Sequence, residues 1–105
     1  MMNRSDARDY EFHLAILAKL RENPDRVMRR ALDNLRRWQE SGGTVPAYME
    51  WAVILKNGRA AVEAVLLDEG NLGQRLRSSS PFYGILTEQE RMDALGRDRG
   101  TRRKT

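Results

Sequence analysis

Three groups of side chains in this sequence have the right chemistry for a site: a lone histidine, a carboxylate pair before a glycine, and a serine-rich segment running into aromatics. His13 is the only imidazole. A histidine acting as general base needs an orienting partner and a cleft that admits substrate. The sequence shows neither, and His13 falls near the middle of the apolar arc of the first predicted helix, so it reads as a packed or edge-of-core residue. Asp68 and Glu69, before Gly70, supply half of a metal site. They lack the repeated oxygen-ligand spacing of a calcium loop and read as helix-end turn chemistry, with no metal expected. Gly70-x-x-Gly73 has neither the following Lys-Ser/Thr nor the preceding strand of a phosphate loop. Ser78, Ser79 and Ser80 have no histidine close in sequence to activate them and read as linker and capping groups. No catalytic residue, no cofactor and no enzymatic activity are expected.

Two surfaces suited to binding remain. In Ser78 to Leu86, Pro81 turns Ser80 away from helical geometry, Phe82 and Tyr83 offer large contact area, and Gly84 permits a turn its neighbours cannot make. Arg75, Arg77, Phe82 and Tyr83 are the expected partner-binding group, since arginine and aromatics are enriched at binding hot spots. The competing reading folds the aromatics onto the protein's own core. The second surface is the polar face of the second predicted helix, with Arg26, Arg29, Arg30, Arg36 and Arg37. Guanidinium groups suit phosphate oxygens, but Asp25, Asp33 and Glu40 are interleaved, so a solvated, salt-bridged face or an acidic protein partner fits as well. Arg26, Arg29, Arg30 and Arg37, with Arg102, Arg103 and Lys104 of the tail, are the candidate nucleic-acid or acidic-partner contacts.

The elements that carry these groups read as helical throughout, because the apolar spacing is helical wherever it is clear and no sustained alternation occurs. A first helix of about 17 residues starts at Ser5 as cap, with Asp6 and Asp9 in its first turn. Asn23-Pro24 ends it and opens a second, Pro24 to Glu40, whose apolar face carries Val27, Met28, Ala31, Leu32, Leu35 and Trp38. Gly42-Gly43 closes that helix. A third begins near Thr44 to Pro46 and is apolar almost all round from Tyr48 to Leu55, which predicts a central position and argues against a DNA-recognition helix. A fourth runs from about Arg59 to Asp68 and short helical turns follow from Leu72 to Arg77. Thr87 with Glu90 forms a capping box, starting a last helix from about Glu88 to Leu95.

At 105 residues the chain fits one domain with a modest core. It contains no cysteine, which removes disulfides, thiol catalysis and thiolate zinc sites. No apolar run approaches the roughly 20 residues of a membrane span, and no secretory signal is evident. A cytoplasmic protein is expected. Of the 19 basic and 15 acidic residues behind the net charge of +4, residues 97–105 hold five basic ones against Asp98. The remainder carries 14 of each sign, so the excess belongs to the tail. The expected organisation is an all-α, single-domain bundle of about five or six short helices over residues 1–96, followed by a basic, flexible tail over 97–105.

The string Gln74-Arg75-Leu76-Arg77-Ser78-Ser79-Ser80-Pro81-Phe82, through Gly84-Ile85-Leu86-Thr87 to Glu90-Arg91, resembles short bacterial proteins with an Arg-Leu-Arg-x-Ser-Ser-Pro-Phe-x-Gly-hydrophobic-Leu core. Asn34-Leu35-x-x-Trp38 and Trp51 fit the same pattern. The resemblance implies an antitoxin-like accessory protein of a two-component operon, one that neutralises a toxin or enzyme by forming a complex with it. It transfers no functional residue. A protein partner, in this reading a cognate toxin, is the leading expectation. Nucleic acid is the alternative, and self-association stays open.

Overall fold

The computed structural model describes residues 4–42 and 45–103, with side chains described as far as Gly96. Six helices follow in order: α1 (Arg4–Glu22), α2 (Pro24–Glu40), α3 (Pro46–Lys56), α4 (Arg59–Leu67), α5 (Asn71–Arg77) and α6 (Glu88–Arg103). The described residues contain no strand, and the fold is an all-α bundle. None of these helices is long and apolar enough to cross a membrane.

The local signals act as their chemistry dictates at α2 and α6. The Asn23 side chain accepts the Arg26 backbone N–H at 3.3 Å, and Pro24 occupies the first turn, where a missing N–H costs nothing. At α6 the Thr87 N–H donates to Glu90 Oε1 at 2.8 Å while the Glu90 N–H donates to Thr87 Oγ1 at 3.0 Å, a reciprocal capping box. Lys19 of α1 pairs with the same Glu90, so the cap also ties the last helix to the first.

Three expectations are corrected. The first helix starts at Arg4, which places Ser5 inside it rather than at its cap. The last helix does not stop at Leu95 but continues to Arg103. Glycine costs a helix interior about 1 kcal/mol but does not forbid it, and no proline interrupts the run at Gly96 or Gly100. Lys104 lies outside the described residues, as do the side chains of Arg102 and Arg103. The third correction concerns α3, which is not central on all sides. Ala47, Trp51 and Leu55 are buried, whereas Met49 and Val53, one turn apart on the opposite face, are 66% and 58% exposed.

The core lies where α1, α2, α3 and α4 converge, and Ile16, Leu20, Val27, Ala31, Trp51, Val62 and Leu66 are completely shielded from solvent. Burying aliphatic and aromatic side chains of this size stabilises the fold by roughly 1.5–3 kcal/mol each. Phe82 belongs to the same core although it lies on no helix. Its ring meets Trp51 edge-on, with centroids 5.2 Å apart. The irregular segment between α5 and α6 is therefore a structural member of the bundle.

Candidate functional site

The segment from Ser78 to Thr87 cannot satisfy its own backbone by helix hydrogen bonds, so other elements must do so. Asn34 of α2 supplies the centre of this clasp: its Nδ2 donates to the Pro81 carbonyl at 2.8 Å and to the Tyr83 carbonyl at 2.9 Å. One and two turns earlier on α2, Arg30 Nε donates to the Tyr83 carbonyl at 3.4 Å and Arg26 Nη2 to the Ile85 carbonyl at 3.3 Å. Positions 26, 30 and 34 share one helical stripe, which lies along the loop. Arg37, a turn beyond, holds Asn34 by donating to its Oδ1. Gly84 is at φ +79°, and a Cβ there would meet the Arg30 guanidinium, with its Nε at only 2.9 Å. Glycine at this position permits both the turn and the close approach of α2.

On the α1 side the loop is fastened by His13. Its Nδ1–H donates to the Asp9 carbonyl at 2.6 Å, which leaves Nε2 as acceptor for the Ser80 hydroxyl at 2.7 Å. Ser80 Oγ in turn accepts the Phe82 N–H at 3.2 Å. The sequence reading denied His13 an orienting partner and denied the serines a base; folding gives each the other, across 67 residues. The polarity of this pair is that of a general base beside a hydroxyl. Its burial is that of a tie, since His13 is 2% and Ser80 4% exposed and Ser80 Oγ already accepts the Phe82 N–H.

Burial, opposed by the bond to the Asp9 carbonyl, holds the His13 pKa down at about 4. The folded protein therefore keeps this imidazole neutral where an unfolded chain, titrating near 6.5, takes up a proton. Stability is highest above the unfolded value and falls as pH drops from about 6.5 towards about 4. The loss is on the order of 3 kcal/mol across that window. Because His13 is the only histidine, its proton NMR signals are expected to show no inflection between pH 5.5 and 8; a titration midpoint above 6 would remove this account of the tie.

The expected partner-binding group divides. Arg77 and Phe82 are corrected to interior residues, 2% and 0% exposed, and cannot present a face to a partner. Phe82 is held by Trp51 and His13, as the core-packing alternative anticipated. Arg77 lies over the Tyr10 ring at 5.0 Å, and its Nη1 donates to the Val65 carbonyl at 2.9 Å and the Asp68 carbonyl at 2.5 Å, closing the end of α4. Burial lowers its pKa, against the opposing pull of Asp68, Tyr10, Asp9 and Asp6. Asp68 meanwhile accepts the Gly70 N–H at 2.8 Å and the Gly73 N–H at 3.0 Å, so the carboxylate that resembled half a metal site shapes a turn. A Cβ on Gly73 would come within 2.8 Å of Arg77 Nη1. Arg75 is exposed, but makes a two-pronged bond to Glu50, both at 2.8 Å, and so belongs to the seam between α3 and α5.

Tyr83 alone of the four stays on the surface unpaired by charge, 58% exposed. It lies edge-on to Trp38 at 5.8 Å, and Trp38 meets Tyr48 at 5.2 Å, giving a ridge of three aromatics across the loop, α2 and α3. Beside it, Arg26, Arg29, Arg30 and Arg37 are all exposed and make no ion pair among the described residues, whereas Arg36 is bonded to Asp33 at 2.8 Å. The candidate contacts read from the sequence leave Arg36 out, but the sequence did not show which carboxylate it takes. Nor did it show Tyr48 beside Tyr83, since the ridge exists only after α3 packs on α2.

Comparison with known proteins finds no matching family model, no matching curated protein and no matching solved structure.

Proposed function

We propose that this protein acts by binding an acidic surface of a protein partner through the Tyr48–Trp38–Tyr83 ridge and the flanking arginines of α2. The observation that carries this reading is the position of Tyr83: more than half exposed, yet on a backbone fixed by Asn34, Arg26 and Arg30. A rigid aromatic presented this way loses little entropy on contact, and desolvated aromatic and arginine side chains carry most of the energy of typical interfaces. The arginines keep further N–H groups for carboxylates, since Arg26 and Arg30 each use one nitrogen on the loop. Such a protein would act by occupying or distorting its partner, with no covalent step, as an antitoxin-like regulator does in the cytoplasm.

The test is copurification of the tagged chain with the product of the neighbouring gene, which should yield a stable stoichiometric complex. Tyr83→Ser and Arg29→Glu are each expected to weaken it by about tenfold or more, with an unchanged melting temperature. Recovery of free protein only, or two variants that bind like the parent, would overturn the reading. The unpaired arginines beside stacked aromatics also favour a second reading, binding of single-stranded nucleic acid. It predicts a gel shift that weakens steeply as salt rises. The absence of a shift at low salt would dispose of it.

A further inference from the structure

Between the first half of α2 and the loop lies a surface recess of about 320 Å³, lined by Arg26, Arg29, Arg30, Asp33 and Gly84. Positions 26, 29 and 30 are spaced i, i+3 and i+4, so three guanidinium groups are neighbours on one helix surface, where like charges repel. All three residues are exposed. Two of them are nevertheless held in place, because Arg26 Nη2 donates to the Ile85 carbonyl at 3.3 Å and Arg30 Nε to the Tyr83 carbonyl at 3.4 Å. Those bonds leave Nε and Nη1 of Arg26 and both Nη groups of Arg30 for another acceptor. Arg29 makes no hydrogen bond or ion pair among the described residues, even with Asp25 a turn before it. The carboxylate of the recess, Asp33, is bonded to Arg36 at 2.8 Å and so is already countered. Gly84 brings no side chain to fill the space.

We propose that this recess binds the dianionic head of a phosphate monoester, with Arg26, Arg29 and Arg30 as its donors. Guanidinium forks match phosphate oxygens, and a monoester offers three terminal oxygens and two negative charges to three arginines. A carboxylate or a phosphodiester brings only two such oxygens and one charge. The inference rests on the reading of the α2 arginines as the place where an anion is received, and it names the anion that binds there most tightly.

The experiment titrates glycerol 3-phosphate into the intact chain at pH 7.5, with dimethyl phosphate and acetate as singly charged controls, and follows the NMR shifts of the Gly84 and α2 amides. The monoester should bind about tenfold more tightly than either control. At pH 5 it should bind about tenfold more weakly, because its second ionisation near 6 leaves about a tenth of it doubly charged. His13, held at about 4, still keeps the loop tied there. Arg29→Gln removes no contact within the protein, and should weaken monoester binding about tenfold at an unchanged melting temperature. Equal binding of glycerol 3-phosphate and dimethyl phosphate would overturn the proposal in favour of a nucleic-acid backbone. No saturable shift at about 10 mM, or an Arg29→Gln variant that binds like the parent, would overturn it outright. If the partner complex forms but the monoester does not bind, this inference alone fails; if the monoester binds and no partner copurifies, it stands and the protein-partner reading fails.

Discussion

Replacing Phe82 by alanine is expected to lower the unfolding free energy by about 3–5 kcal/mol, close to the whole margin of a small domain. Two effects add. The ring is completely buried against Trp51 and His13, so its removal forfeits transfer energy and leaves a cavity the surrounding helices cannot fill. It also brings the segment between α5 and α6 into the core, which Ile85 joins and Leu86 packs against. Urea unfolding followed by tryptophan emission measures the loss. A change below about 1 kcal/mol would mean that the loop rests on the core rather than completing it.

The second large effect is expected at Asn34. Asn34→Leu preserves the size of a side chain that is 2% exposed, but removes both donors from the loop and the acceptor from Arg37. The Tyr83 carbonyl keeps Arg30, whereas the Pro81 carbonyl is left buried and alone. An orphaned buried acceptor and a lost pair of bonds together cost about 2–4 kcal/mol. Asn34→Asp sharpens the test, because it keeps the shape and the contact to Arg37 while turning oxygen lone pairs towards the carbonyls. It should destabilise at least as much as leucine. If Asp were tolerated and Leu were not, donation to the loop would be excluded as the cause and the Arg37 contact would become the important one. Amide exchange at Phe82 and Ile85 should accelerate in both variants before global unfolding does.

The helices were legible where local chemistry decides them. α2 runs from Pro24 to Glu40 as its cap, proline and periodicity predict, and the Thr87–Glu90 box starts α6 at Glu88. Those signals act within four residues and need no knowledge of the fold. The extent of α6 was not legible, because Gly96 weakens a helix without ending it. Exposure was legible only on average: an almost wholly apolar α3 looks central, but the bundle has too few layers to cover Met49 and Val53. The site was hidden for a different reason. His13 and Ser80 are unremarkable as separate residues, and nothing local reveals that α1 and the loop meet. Arg77 likewise reads as one of several arginines in a basic stretch. Its burial depends on the Val65 and Asp68 carbonyls at the end of α4 coming within its reach.

The contacts of the loop also bear on when this protein can fold during synthesis. Ser80 meets His13 across 67 residues and Pro81 meets Asn34 across 47, while α1 finds its Glu90 partner only in the last helix. A ribosome must therefore release the chain past Glu90 before the first helix has all its neighbours, although α2 and α4 are available to cover part of it earlier. Chains halted at Lys56 should be protease-sensitive and bound by chaperones, and those extended past Arg91 resistant, giving one late, abrupt gain of structure in place of helix-by-helix growth.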